Sequence, residues 1–346
     1  MSFPIIFGGR SGRGGRGGRS FLNLTITTTA SPQTVRIQQL TPQIDSTIDW
    51  GDGTTTLIVA NRTSVIDKTY ATAGVYKVKV QNPDRIVSLD LRVAAIGGLN
   101  TRDLRNAPMT GTFLLTSLGT GCVLDSAYMV DWRPSDWRLS GMPAGTYTIN
   151  SADMTDWRPT AWYFHTMPAG TYTVNSADMT DWRPTAWVLY TMPAGTYTVN
   201  SADMTDWRPT TWYFLTMPAG TYTINSADIT NWRPRDWRLS GMPAAGSSYT
   251  FAASCMRAWI TARVIRAASL GINTAAVDAV INDIYEGRAG YTWATPLLDV
   301  GGATNGTPDG IYQDPAPNPP ASALEQVWVL ANDHPWAITW NGGSAP

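Results

Sequence analysis

Histidine and cysteine are almost missing from this chain: two of each stand in 346 residues. His165 and His334 both lie apart from any serine or cysteine signature, so a nucleophilic triad is not expected. Cys122 and Cys255 are too few for a disulfide framework. Charge is scarce too. Lys, Arg, Asp and Glu make up 15% of the residues and nearly cancel, leaving a net charge of -1. A broad basic face for nucleic acid is thereby excluded. No stretch approaches the roughly 18 consecutive apolar residues of a spanning helix, so no membrane insertion is expected. The opening Met-Ser-Phe-Pro-Ile-Ile-Phe lacks a charged leading region and is too short for a signal-peptide core. A surface-type protein with such a start is expected to leave the cell by another route, such as assembly onto a phage particle released by lysis.

What the chain has instead is aromatic residues and repetition. Sixteen Trp and fourteen Tyr stand against seven Phe, a composition suited to interfaces where an apolar face needs a polar handle. The N-terminal twenty residues are different. Gly recurs at 9, 12, 15 and 18, and Arg10, Arg13, Arg16 and Arg19 follow one position later. One reading is a solvated flexible tail. The other is an extended arm (1–20) packed on neighbouring chains, because glycine alone permits so close a backbone approach. On the second reading the four arginines are candidate anchoring contacts to other virion or assembly proteins.

Residues 21–82 alternate apolar and polar positions in short runs divided by turn residues, the pattern of an all-β sandwich. Trp50-Gly51-Asp52-Gly53-Thr54, followed by Tyr70 and Ala73-Gly74-Val75-Tyr76-Lys77-Val78-Lys79-Val80, resembles the PKD-type immunoglobulin-like domain. That resemblance implies a spacer or binding module with no catalytic residues. Asp52 reads as a turn former or as a calcium ligand.

A unit of 25 residues then repeats almost verbatim. Trp132, Trp157, Trp182, Trp207 and Trp232 each open a Trp-Arg-Pro-x-x-Trp motif, with Met-Pro-Ala-Gly-Thr-Tyr-Thr-(Val/Ile)-Asn-Ser-Ala-Asp in between. A fixed period of this size means a solenoid (83–256), in which each unit buries its apolar edge on the next. Within Thr146-Tyr147-Thr148-Ile149-Asn150, Tyr147 and Ile149 are expected inside, with Thr, Thr and Asn in outward ladders about 4.8 Å apart. Stacking leaves Cys122 and Cys255 at opposite ends of the array, too far apart to bridge. The Met-Pro-Ala-Gly and Tyr-x-Ile stretches resemble the short leucine-rich repeats of bacterial surface and phage proteins. The tryptophans of the motif read either as core or as a sugar-binding ladder. The motif's Arg is expected to stack on indole, with a bond to the Asp before each Trp.

Residues 257–346 change character. Helices are expected over 257–270, 275–286 and 322–331, and a strand over 336–340. The segment resembles the terminal module that closes such arrays, and its physical task is to cover the end of the solenoid core. The fold class expected is therefore mainly β with a small α+β C-terminal module: an immunoglobulin-like sandwich, then a leucine-rich-repeat-like parallel β solenoid.

Repeated Asp residues form ladders in identical environments, whereas acid–base catalysis needs two environments. No enzymatic activity, cofactor or metal is expected. The informative variation follows each second Trp. Tyr163, His165, Val188, Tyr190, Tyr213 and Leu215 occupy outward positions that are Arg and Ser in the first and last units. This patch is expected either to meet a partner or to be covered by the C-terminal module. The function expected is structural or adhesive: a head-fibre, decoration or tail-fibre component on a virion surface, homo-oligomeric, with a host-surface glycan among its partners. The alternative is an extracellular bacterial adhesin or filament subunit packing head to tail.

Overall fold

The computed structural model describes residues 21–243, 245–291 and 296–345, so the arm with Arg10, Arg13, Arg16 and Arg19 lies outside the described residues. The first part is antiparallel. Alternation along Phe21–Thr28 sends Leu22, Leu24 and Ile26 inward, and this strand pairs along its length with Gly74–Gln81. Ser46–Asp49, Thr55–Ile58 and Ile96–Gly97 complete a five-stranded sheet. Gln33–Ile37 and Ile66–Tyr70 form a separate pair. Trp50 anchors the core between them, donating to Thr56 Oγ1 at 2.8 Å and accepting at its carbonyl from the Tyr70 hydroxyl at 3.1 Å. Asp52 is a turn former: Oδ1 accepts from the Thr54 amide and hydroxyl, and Oδ2 pairs with Lys68 at 2.6 Å.

The solenoid grows directly from this part. Gln39–Pro42 pairs antiparallel with Ile86–Leu91, which begins a run of parallel strands in one 12-stranded sheet. Each unit contributes one strand containing its second Trp, such as Ala161–His165, to this long sheet. It contributes a second strand containing Tyr, such as Thr171–Asn175, to a parallel six-stranded sheet. A single 3-10 turn, Ser176–Met179 in that unit, and the Trp-Arg-Pro corner lead to the next coil. Both tryptophan series lie in the core at 0% exposure, which overturns the sugar-ladder reading of the indoles. Trp137, Trp162 and Trp187 stack in register, with centroids 5.8 and 5.6 Å apart, and Trp157 and Trp182 meet them edge-on. Edge-to-face packing of this kind adds to area burial because ring edge and ring face carry opposite partial charge.

The two sheets differ in register. Trp strands align at the unit length, Trp162 beside Trp187. Tyr strands are staggered by two residues, so Ile149 lies beside Tyr172 and Asn150 beside Thr173. The expected continuous ladders of like residues are therefore broken in the Tyr sheet: Thr148 still meets Thr171, but Asn150 meets Thr173. A two-residue shift keeps side-chain parity, so Tyr and Ile or Val still point inward. Buried serines fix the stagger. Ser151 Oγ accepts from the Asn175 amide at 2.9 Å and donates to Asp178 Oδ2 at 2.5 Å, and Ser126, Ser176 and Ser201 do the same one coil away. Close approach is the other requirement: a Cβ on Gly195 would stand 2.6 Å from the Tyr172 carbonyl oxygen. Arg133, Arg158 and Arg183 reach the Asp before Trp of the following coil, Arg158 to Asp181 at 3.1 Å, and the motif arginines also bond backbone carbonyls. The expected stacking on indole gives way to this staircase.

The long sheet continues past residue 257. Val264–Ala268 is a strand in register with Asp236–Ser240, where a helix was expected. Trp259 takes the corner position and Ile265 the place of Trp237, so the segment is a degraded repeat whose inward positions still fit the stack. Leu297–Val300 and Ala337–Trp340 extend the parallel run, and Gly343–Ala345 closes it antiparallel. Helices α1 (Thr274–Gly287) and α2 (Ala323–Asn332) occur where the periodicity predicts them. Val277, Val280, Ile281 and Ile284 of α1 join the core. The buried Asp283 carboxylate accepts from the Ser254 and Met256 amides, docking α1 on the open end of the Tyr sheet.

Candidate binding face

Comparing the units within the chain separates two kinds of position. The Tyr strands read Thr-Tyr-Thr-(Ile/Val)-Asn in all four full copies, and the inward residues of the Trp strands stay Trp and Leu or Phe. Five positions set both the first and the last unit apart from the middle three, and all five lie on the outer side of the long sheet or in its flanking turns. Ser135, Asp136, Arg138, Ser140 and Gly141 of the first unit correspond to Thr160, Ala161, Tyr163, His165 and Thr166. The last unit again has Arg235, Asp236, Arg238, Ser240 and Gly241.

Parallel pairing in register makes these positions into rows. The central row reads Arg138, Tyr163, Val188, Tyr213, Arg238 across five adjacent strands. The row towards the strand ends reads Ser140, His165, Tyr190, Leu215, Ser240. Ala161, Ala186 and Thr211 form a low row on the other side, between Asp136 and Asp236. Tyr163, His165, Tyr190, Tyr213 and Leu215 are half-buried. Val188 also points outward, yet it is only 6% exposed between its two tyrosine neighbours, a departure from the open position expected. Neither helix closes over these rows. Their apolar sides pack in the continuous core, and the two helices pack on each other.

The face is framed by cations. The Arg138 guanidinium lies over the Tyr163 ring at 4.4 Å and bonds Asp136 at 2.6 Å. At the far side Arg238 lies over Tyr213 at 4.7 Å, while Arg235, Arg238 and Arg263 surround the buried Asp236 at 3.5–3.9 Å. Beyond them come Arg92 paired with Asp90 and Arg266 paired with Asp299. The carboxylates are recessed and the guanidiniums stand outside them. A shallow groove of about 400 Å³ runs along the near half, lined by Arg92, Leu114, Thr116, Arg138, Ser140, Tyr163, His165 and Val188. Burial pushes the Tyr163 and Tyr213 phenols above their ordinary range, so both stay neutral hydroxyls.

Ser140 Oγ and His165 Nδ1 meet at 3.1 Å across neighbouring strands, a proximity that sequence spacing alone does not suggest. The other groups beside His165 are Thr166 and the Tyr190 ring at 4.7 Å, neither of them an acid. Among the described residues no group of three or more His, Cys, Asp or Glu is placed to hold a metal ion.

Three features escaped the sequence reading. One is the groove's contribution from Arg92, Leu114 and Thr116, which lie in degenerate lead-in coils. Another is the small row of Ala161, Ala186 and Thr211. The third is backbone strain. Thr166, Thr191 and Thr216 have φ of 52°, 50° and 53°, the left-handed region, at the turn position that Gly141 and Gly241 fill in the end units. A β-branched residue there is a genuine outlier. An alignment of the units would have shown Gly giving way to Thr in the same three copies that carry the aromatic rows. No family model matches the chain, and no match is found among curated proteins or solved structures.

Proposed function

We propose that this protein is a non-enzymatic structural and adhesive component of a tailed phage particle, a head fibre, decoration or tail-fibre part. Its N-terminal arm holds it to the particle and its solenoid is displayed. The observation that carries this reading is the partition of variation among the repeats. The inward Trp and the Tyr strand hold but for Leu/Phe and Ile/Val exchanges, while five positions on the outer side of the long sheet or in its flanking turns set three adjacent units apart from both end units. A scaffold whose end units share their differences from the middle units on one outer side is suited to presenting that side. The fold we propose is an immunoglobulin-like sandwich followed by a leucine-rich-repeat-like solenoid. The Asp52 turn and the Trp50–Tyr70 contact support the first half. The parallel 25-residue coils support the second, although they carry two strands each rather than one.

Antibody labelling of purified particles and of host envelopes tests the location. Label on capsids or tails is the expected outcome. Purified particles without this chain overturn the reading, and label confined to envelope filaments favours a bacterial adhesin instead.

A further inference from the structure

We infer that the outer face of the strands Ala161–His165, Ala186–Tyr190 and Thr211–Leu215 is a binding site for an acidic polysaccharide, laid across the strands along the solenoid. The inference rests on the adhesive half of the reading above and is independent of where the protein resides.

The size of the face decides against a folded partner. Three strands about 4.8 Å apart and five residues about 3.3 Å long present roughly 240 Å². Adding the two Arg-bearing strands brings this to about 400 Å², half of the ~800 Å² per partner that a stable protein interface buries. A second copy is disfavoured further, because either twofold arrangement of facing sheets sets the central row's arginines against their own kind. An extended peptide has no backbone to pair with, since each of these strands is already bonded on both sides.

A narrow polymer of rings fits. Tyr163, Tyr190, Tyr213 and His165, half-buried and with Arg138 and Arg238 over one face of Tyr163 and Tyr213, offer their remaining ring surface to the C–H faces of pyranoses, and Ser140, Thr116 and the neutral phenols offer hydroxyls. Successive positions along each row recur at the strand spacing, close to the rise of one sugar along an extended polysaccharide. Charge selects an acidic chain. Arg92, Arg138, Arg235, Arg238, Arg263 and Arg266 frame the face against the recessed Asp90, Asp136, Asp236 and Asp299, an excess of cations with planar donor forks suited to carboxylate or sulfate. The backbone adds a local feature: Thr166, Thr191 and Thr216 keep exposed side chains at positive φ beside these rows where the end units have Gly141 and Gly241, and Ser117 and Ser269 take the same turn in the flanking coils. Strain held in place in this way clusters at functional sites.

The test uses the full chain in native affinity electrophoresis, with gels holding polygalacturonate, hyaluronate or chondroitin sulfate, and neutral dextran as the control. Retardation by at least one acidic polymer, weakening as salt is raised, is expected, with none by dextran. Tyr163→Ser with Tyr213→Ser, and separately Arg138→Gln, should each weaken retardation at least tenfold at an unchanged melting temperature. Arg158→Gln removes the same charge from the Trp-Arg-Pro side and should leave retardation intact. The inference is overturned if no acidic polymer is bound, if dextran binds equally, or if Arg158→Gln weakens binding as much as Arg138→Gln does. Self-association that disperses when Tyr163, Val188 and Tyr213 are all changed to Arg, without polysaccharide binding, overturns it in favour of a protein interface.

Discussion

A threonine held at positive φ costs about 1–2 kcal/mol relative to its relaxed conformation. Glycine adopts the same angles freely but loses more backbone entropy on folding, about 0.5–1 kcal/mol. Replacing Thr166, Thr191 and Thr216 together by Gly, the residue already present at 141 and 241, should therefore stabilise the protein by up to about 1 kcal/mol per site. Chemical denaturation of the triple variant measures this, and a lower midpoint would show that the threonine side chains hold the turn. Such a variant should trade binding for stability, as sites that store strain commonly do.

The Tyr column behaves as one element. Tyr147, Tyr172, Tyr197 and Tyr222 donate to Pro143, Pro168, Pro193 and Pro218 carbonyls at 2.7–3.2 Å, and burial pushes all four phenols well above their ordinary range. Tyr249, bonded to Pro243, is pushed up to about 12. Raised folded values mean that the unfolded chain loses its protons first. The contribution to stability is whole below the ordinary value of 10 and falls as pH rises through 10 towards 12 and beyond. Ultraviolet titration should show these phenols ionising only together with loss of strand signal; early, independent ionisation would refute their burial. Much of this element is readable in one line of sequence, because strict alternation places Tyr147 and Ile149 inside. Its two-residue stagger is not. Stagger depends on how the Met-Pro-Ala-Gly turn and the Ser–Asp contacts close the coil, and those contacts join residues 24 and 27 positions apart. Residues 257–270 misled for a related reason. Their Ala, Arg and Ile suit a helix locally, whereas Ile265 and Ala267 become strand residues only because Trp237 and Leu239 wait beside them. For the candidate site, the outward direction of all six patch residues follows from alternation, but the covering of Val188 and the Ser140–His165 contact need the neighbouring coils.

At the scale of the molecule, registers at the unit length make the coils interchangeable. Deleting residues 161–185 removes one whole coil and joins Thr160 to Ala186, the same Thr-Ala junction that the chain already has. The shortened protein should fold cooperatively and lose about 4.8 Å of length, one strand spacing, by small-angle scattering. Its stability should fall by one repeat and one interface, since each coil contacts only its neighbours. Deleting 12 residues from the same place shifts Trp positions out of the core and should leave an aggregating product. Failure of the 25-residue deletion alone would show that the middle coils are not equivalent.

The sheet that begins at Gln39–Pro42 and ends at Gly343–Ala345 is unbroken by any linker. Bending the molecule between its antiparallel base and its helical end means shearing paired strands rather than turning a hinge. The rod is thus a stiff lever with a fixed bearing. The strand pairing fixes the direction of the tyrosine face relative to the base, and a torque applied at the far end would be carried to the base through paired strands.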